Sequence, residues 1–543
     1  MREQRRYPIV RGPSPLRFDR RTLLSGVLGA LATKGVTSAL ALSGGATSGC
    51  SPGTRQVRGR SSRTGAPEPS WGLQIGDVTD KSAVVWSRSD RPSHMVVQWS
   101  TSPSYAAAVT REVRGALADA DGDFTAKVRL PDLPSDTRLF CRARFDAERS
   151  SPWIEGAFST APAENEARDV VFAWSADTNG QGWGIDPSRG GMPAFSALLD
   201  RAPDFFVSCG DAIYADDPIP ERLALPEGGF WQNVVTPAKS HVAESLDDFR
   251  GAFLYPRLAP QVRALSAKVP LFALWDDHEV RNNWFPGQEF DDPAYPHEHR
   301  VDVLAARARR AMWEHTPTLR DPRAPMYRSV RWGARLEVFT LDGRSYRTPN
   351  EPVPPVERFL GDEQLAWLAD AVARSTATWK VIACDMPIGL VVSEPSKTGS
   401  GQAFDGIAND NGPPKGREKE IARLLGIFAE RRVRNVVWIT ADVHYAAAHR
   451  YDPSRAVPGA LPFSEFVAGP MHATSFSRKP FDDSFGPELI WASADWNTPF
   501  GSPASGEQYF GVVRIDGRTG TLTVTLVDAR GRDLHVTVLR PDI

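Results

Sequence analysis

The chain has 543 residues, 41% hydrophobic and 24% charged, which is ordinary for a soluble globular protein of two or three domains. A formal net charge of −2 excludes a global attraction to nucleic acid, a membrane surface or an acidic polymer. Four cysteines without Cys-x-x-Cys spacing exclude a disulfide framework.

The amino terminus sets an expected compartment. Asp19-Arg20-Arg21-Thr22-Leu23-Leu24 precedes a mildly apolar, Ala/Gly-rich stretch to about Ala41. That is the form of a twin-arginine export signal, read here as residues 1–43. Lys34 interrupts the stretch, so no stable membrane span is expected, and Ala39-Leu40-Ala41 offers a small-residue cleavage site. The expected partner is the twin-arginine translocation machinery and the expected destination is the cell envelope or the outside. A basic tail is the alternative, and Thr47-Ser48-Gly49-Cys50 leaves lipidation at Cys50 open. Residues 44–70, rich in Gly, Ser, Arg and Pro, read as a flexible linker.

From Trp71 to Thr160 the texture changes. Ala83-Val84-Val85-Trp86, Met95 to Trp99, Phe124 to Leu130 and Leu139 to Phe145 are short, turn-bounded runs, and the last two alternate strictly. They predict an antiparallel β-sandwich resembling a fibronectin type III module over 71–160. Ala161 to Asn165 makes a short polar bridge to a catalytic domain over 166–543.

In that domain four apolar runs each end in acidic residues or histidine. Val170 to Trp174 leads to Asp177 and Asn179, and Phe205 to Val207 leads to Asp211 and Tyr214. Val269 to Leu274 leads to Asp276-Asp277-His278-Glu279, and Val436 to Ile439 leads to Asp442 and His444. Continuous apolar runs suit strands covered on both faces. Helical stretches at Met192 to Arg201, Val301 to Trp313, Asp362 to Ala373 and Arg417 to Arg431 alternate with them, which predicts an α/β fold with a largely parallel sheet. Ligands sit at the carboxyl ends of such strands, so four clusters there converge on one cleft. Phe510 to Val513 and Thr521 to Val527 read as a hairpin closing a second sheet.

The residue types then sort by metal preference. Asp211 is placed to bridge two ions. Tyr214, His444 and Asp177 suit a trivalent or transition metal, ferric iron foremost, while Asp277 and Asp442 with Asp211 make an oxygen-rich site suited to calcium. Two cations roughly 3.5 to 4 Å apart polarise a phosphoryl oxygen and acidify a bound water to a hydroxide nucleophile. His278 is the expected proton donor to the leaving group.

Gly-Asp-x-x-Tyr at 210–214, Trp-Asp-Asp-His-Glu-Val at 275–280, Leu-Asp-x-Arg-Ser-Tyr-Arg at 341–347 and Asp-Val-His-Tyr at 442–445 together resemble the alkaline phosphatase D (PhoD-like) family. The resemblance implies a calcineurin-like metallophosphatase sandwich, two mixed sheets flanked by helices, behind a small β-sandwich. It also implies an iron and calcium centre, dinuclear or larger and open to other divalent metals, acting on phosphate esters under alkaline conditions. Asp177 stands where that family commonly has cysteine, so at this position the chain is more similar to purple acid phosphatases, and Asp385 stands near the place of a missing metal-binding histidine. Secreted phospholipase D-like phosphodiesterases share the pattern, so monoester hydrolysis is expected with diester hydrolysis as the alternative.

Around this centre, Asn179 and Asn282 serve either phosphate binding or a turn, and Arg344 either clamps phosphate or pairs with Asp342. The irregular stretches Asp216 to Thr236 and Glu394 to Pro414 read as lids, with Trp183, Trp231, Trp284 and Phe404 as either cleft walls or core. A catalytically silent envelope binding protein is the reading from another class, and the intact set of ligand types argues against it.

Overall fold

The structure is a computed structural model that describes residues 65–226, 228–351, 357–396 and 401–542. The expected export signal and most of the linker lie outside the described residues.

Strict alternation is clearest in one of the first strands. In β6 (Arg138–Asp146) Leu139, Cys141, Ala143 and Phe145 are buried, while every residue between them is less so. β5 (Thr125–Leu130) repeats the pattern, β1 (Gln74–Gly76) and β2 (Ala83–Arg88) are buried almost throughout, and β3 (Ser93–Ser100), β4 (Thr110–Ala118) and β7 (Ile154–Ser159) complete the set without strict alternation. They form two layers, β4-β3-β6-β7 and β1-β2-β5. The second layer does not end there. Gly76 of β1 pairs in parallel with Leu271 of a core strand, and a Cβ at Gly76 would lie 2.7 Å from the Leu271 carbonyl oxygen, so only glycine allows the two backbones to meet.

The core strands follow in chain order: β8 (Val170–Ser175), β9 (Phe205–Cys209), β10 (Arg222–Ala224), β11 (Phe230–Gln232), β12 (Leu271–Leu274), β13 (Arg328–Trp332), β14 (Leu336–Thr340) and β15 (Trp379–Ala383). After them come β16 (Ser393–Pro395), β17 (Gln402–Phe404), β18 (Val436–Thr440), β19 (Ala447–Tyr451), β20 (Phe463–Val467), β21 (Pro487–Ala492), β22 (Tyr509–Ile515), β23 (Leu522–Asp528) and β24 (Asp533–Leu539). A nine-stranded sheet runs β24-β23-β22-β8-β9-β12-β1-β2-β5, and a seven-stranded sheet runs β13-β14-β15-β18-β20-β19-β21. Both are mixed: β8-β9-β12 and β14-β15-β18-β20 are parallel, and hairpins close the edges.

Continuous apolar runs arise because each central strand is buried on both faces. In β18, Val437 and Ile439 join the core between the two sheets, with Trp174, Val207 and Val381, whereas Trp438 faces outward into a second cluster. That outer face is covered by α5 (Gly361–Arg374) and α6 (Glu418–Glu430), through Leu365, Leu368, Ile421 and Leu424. The other sheet is covered by α1 (Pro193–Asp200) and α3 (Pro260–Ser266), through Leu198, Val262 and Leu265 against Ala173, Phe206 and Val512. Helices α2 (Leu246–Leu254) and α4 (Val301–His315) pack on each other beside the strand ends, and a Ser245/Asp248 capping box starts α2. The expected sandwich of two mixed sheets flanked by helices is the fold observed.

Two expectations need correction. The C-terminal hairpin β22-β23 does not close the second sheet; β22 pairs with β8, so it extends the sheet that carries the first three clusters. The irregular stretches after β9 and β15 are not featureless either, since each holds a small antiparallel hairpin, β10-β11 and β16-β17. Trp183 and Trp231 pack edge to face at 6.0 Å and are buried, as is Trp284 against Trp275, so these three are core rather than cleft wall.

Candidate metal centre

Register brings the clusters together. Ser175 of β8 is level with Ser208, and Cys209 of β9 with Leu274, so β8, β9 and β12 end side by side. β18 brings its end in from the facing sheet. Just past these ends Asp177, Asn179, Asp211, Asp442 and His444 all have positive φ, between 47° and 69°. Non-glycine residues enter that region at a cost and do so where the surrounding structure dictates it. Here the sharp turn leaves five polar side chains at one place. Gly210 makes the turn after β9 possible: at φ 101° its Cβ position would lie 2.4 Å from the Asp276 Cβ.

The donor atoms fall into three overlapping groups, each with all its atoms within 4.8 Å of one another: Asp177, Asp211 and His444; Asp211, Asp277 and His278; Asp276, Asp277 and Asp442. Asp211 belongs to two of them and Asp277 to two. The Tyr214 hydroxyl completes the first, 2.9 Å from His444 Nε2 and 3.5 Å from Asp177 Oδ1. His444 Nδ1 lies 2.5 Å from the Thr474 carbonyl oxygen, which places the proton on Nδ1 and leaves the Nε2 lone pair toward Asp177 and Tyr214. All six residues expected as metal ligands therefore converge.

Their supports were not expected. Glu279 accepts from the backbone N–H groups of Asp211 (3.0 Å), Ala212 (2.7 Å) and Asp276 (2.8 Å), locking the ends of β9 and β12 together. Asp277 accepts from the Asn283 N–H at 2.6 Å through Oδ2, while its Oδ1, like Asp177 Oδ2, is buried without a hydrogen-bond partner. Burial, together with the crowding of Asp277, Asp276 and Glu279, pushes the Asp211 carboxyl well above its usual range. Burial and Asp277 do the same to Asp442. Burial and the nearby carboxylates hold the Tyr214 hydroxyl up as well. Orphaned anionic oxygens in a set of carboxylates, one phenol and one imidazole fit bound cations, which would reverse each of these shifts.

His278 stands beside this set. Its ring stacks on Tyr214 at 4.0 Å, its Nε2 is 4.0 Å from Asp277 Oδ1, and its Nδ1 is 2.7 Å from Asp216 Oδ1. Burial lowers its pKa, but Asp216 and Asp277 more than offset that and raise it to about 9. Asp216 also accepts from the Asn282 N–H at 2.7 Å, so it fixes both the imidazole and the loop that carries Asn282. Asn179 donates its N–H to the His472 carbonyl at 2.7 Å and holds a buried Oδ1 without a partner. The Asp216-Asp217 pair, two residues past Tyr214, was the available sequence signal for this support.

Arg344 is placed differently from either expectation. Its side chain is fully buried; it donates to Asp276 at 2.6 Å and to both Asp405 oxygens at 2.9 and 3.0 Å, while Asp342 takes only the Arg344 backbone N–H. It lies behind the carboxylates and offers no free edge to a phosphate. Asp385 sits 3.6 Å from the same guanidinium, outside the three groups.

A family model described as PhoD-like phosphatase matches residues 172–526, and one for the N-terminal domain of PhoD-like phosphatases matches residues 54–162. Alkaline phosphatase D of Bacillus subtilis (strain 168) is 26% identical over 272 residues, 47% of this chain and 44% of that protein, so the match spans less than half of the relative's length. A solved structure of PhoD superposes with a TM-score of 0.66 at 18% identity, covering 88% of this chain and 91% of that one. A purple acid phosphatase from yellow lupin (Lupinus luteus) seeds gives 0.56 at 11% identity over 88% of this chain and 75% of its own. At these identities the two structures show a shared fold.

Proposed function

The chain belongs to the PhoD-like phosphatase family, and on that premise we propose that it is an exported, metal-dependent phosphoric ester hydrolase acting on phosphate monoesters. The observation that carries the reading is the convergence of the three donor groups beside the His278–Asp216 pair. Asp177, Tyr214, His444 and Asp211 would hold ferric iron, and Asp211, Asp277 and Asp442 would hold calcium. A cation pair in such a set supplies charge neutralisation at phosphorus and acidifies water for in-line attack.

The remaining roles belong to the chain itself. His278 gives its proton to the departing alkoxide, and Asp216 both orients the ring and favours its protonated form. Asn179 and Asn282 flank the donor set as hydrogen-bonding groups for phosphate oxygens. Glu279 keeps the Asp211 and Asp276 backbones in place so that the ligands keep one geometry. The twin-arginine pattern around Arg20 and Arg21 supports export of an already folded, metal-loaded enzyme to the envelope or beyond.

The test is the ratio of turnover on an aryl phosphate monoester to that on the matching diester, with metal-loaded protein. A ratio well above one supports this reading, and one well below one makes the enzyme a diesterase. Turnover of neither by protein that retains its metals would make the centre a silent scaffold.

A further inference from the structure

A set of aromatic rings beside His444 takes no part in this chemistry. The loop after the cis Gly469-Pro470 bond carries Phe476, whose ring lies face to face on the ligand imidazole of His444, 4.4 Å between centroids and 8° from parallel. Phe500, from a separate loop, meets Phe476 at 5.1 Å and 60°. In that second loop Trp496 sits beneath the Arg478 guanidinium, 4.3 Å from the ring centroid. Trp496 and Phe500 are each 53% exposed.

The two loops are bolted together. Ser475 and Gly501 exchange both backbone hydrogen bonds, at 3.0 and 3.1 Å, and Arg478 donates its N–H to the Asp495 carbonyl at 3.0 Å. A Cβ at Gly501 would sit 2.3 Å from the Ser475 hydroxyl oxygen, so the close approach depends on glycine there. Two large rings are thus held in water by rigid backbone, in a path that starts on a metal-ligand imidazole. Exposed aromatic faces on a preorganised frame beside a polar donor set are the arrangement that recognises a flat ring, by stacking and edge contact.

Resting on the phosphoesterase reading above, we propose that Phe476, Phe500 and Trp496 form a specificity wall for phosphate esters whose alcohol carries a planar aromatic ring. The corner between Phe476 and Phe500 takes the ring attached to the ester oxygen, and the Trp496–Arg478 pair extends the surface outward. An alkyl alcohol reaches the same phosphate site without using the wall.

The experiment compares the metal-loaded wild type with Phe500→Ala, Trp496→Ala and the double variant. It measures kcat/KM on phenyl phosphate and on glycerol phosphate, and binding of phenylphosphonate against methylphosphonate by calorimetry. The double variant is expected to lose about tenfold on the aryl ester and on phenylphosphonate, to stay within about twofold on the alkyl ester and on methylphosphonate, and to be rescued in part by Phe500→Leu. Equal losses on both esters, or no loss of the phenyl preference, would overturn the wall. A wild type that hydrolyses neither ester but still prefers phenylphosphonate, with that preference lost in the double variant, would remove the monoesterase reading and leave the wall standing.

Discussion

Two acid-rich regions lie buried within one side chain of each other, and they are built on opposite principles. Around the strand ends, Asp177, Asp211, Asp277 and Asp442 crowd together, and two of their oxygens have no hydrogen-bond partner. Immediately behind them, Asp405 is enclosed by Arg344 and Arg347, with Asn350 donating to it at 2.9 Å. Despite its burial, Arg344 and Arg347 hold the Asp405 carboxyl well below its usual range, whereas Asp211 and Asp442 are driven the other way. Burial of a carboxylate therefore says little by itself. What separates a ligand cluster from a structural one is whether the chain supplies the positive charge.

The sharpest way to break the contrast is at the residue shared by two donor groups. Asp211→Ala should reduce kcat by about three orders of magnitude or more and lower the bound metal content, because one side chain serves both positions. Elemental analysis alongside kinetics checks this, and metal retained at full stoichiometry would remove the shared-ligand role. In the structural region the corresponding change is Arg344→Met. It leaves Asp276 buried without its cation and should cost about 3–5 kcal/mol of stability, read as a lower melting temperature in protein with and without metal.

Much of this was legible in the sequence, and the parts that were not share a cause. Val436 to Ile439 reads as a buried strand because both its faces are apolar, and Asp442 and His444 stand out because polar residues end that run. Local pattern was sufficient there. Arg344 sits in a motif just as distinctive, yet its partners Asp276 and Asp405 lie 68 and 61 positions away, and nothing local distinguishes a guanidinium facing phosphate from one facing carboxylates. Strand β24 was missed although Leu534, Val536 and Val538 alternate along it; only Leu534 and Leu539 pack against the core, while Val536 and Val538 stay exposed. The hairpin β22-β23 was recognised but assigned to the wrong sheet, since pairing with β8 is a contact between residues more than three hundred positions apart.

A smaller effect tests the group that stands beside the ligand cluster. His278→Ala should lower kcat by about two orders of magnitude on a substrate with a poor leaving group, and less on an aryl ester that needs little protonation. Asp216→Asn should cost about tenfold and leave a distinct mark on the pH profile. On the proposed mechanism the active form carries the proton on His278, so activity falls as pH rises through the pKa of that group, which Asp216 raises. Removing the Asp216 charge lowers that pKa, and the alkaline limb should move to lower pH. A limb that stays put would show that another group sets it.

The smallest effect separates the two regions by the sign of their pH dependence. Asp211, Asp276 and Asp442 have folded-state pKa values raised well above the unfolded ones, and Glu279 is raised to about 7 by burial. Between roughly pH 4 and the raised values the metal-free folded protein therefore binds more protons than the unfolded chain, so its stability falls as pH rises. Asp405 is depressed instead; its contribution is complete above the ordinary carboxylate range and is lost only as pH falls below it, so it adds no slope between pH 5 and 8. Metal-free protein should thus melt at progressively lower temperature from pH 5 to 8, and saturating metal should flatten the trend by keeping the ligands ionised when folded. Asp442→Asn should remove part of the slope and raise the metal-free melting temperature at pH 8, since it deletes repulsion. Asp405→Asn should lower the whole curve without changing its slope, because it deletes a partner of two buried arginines. If both substitutions shift the curve in the same direction, the division between a cation-seeking cluster and a self-neutralised one is wrong.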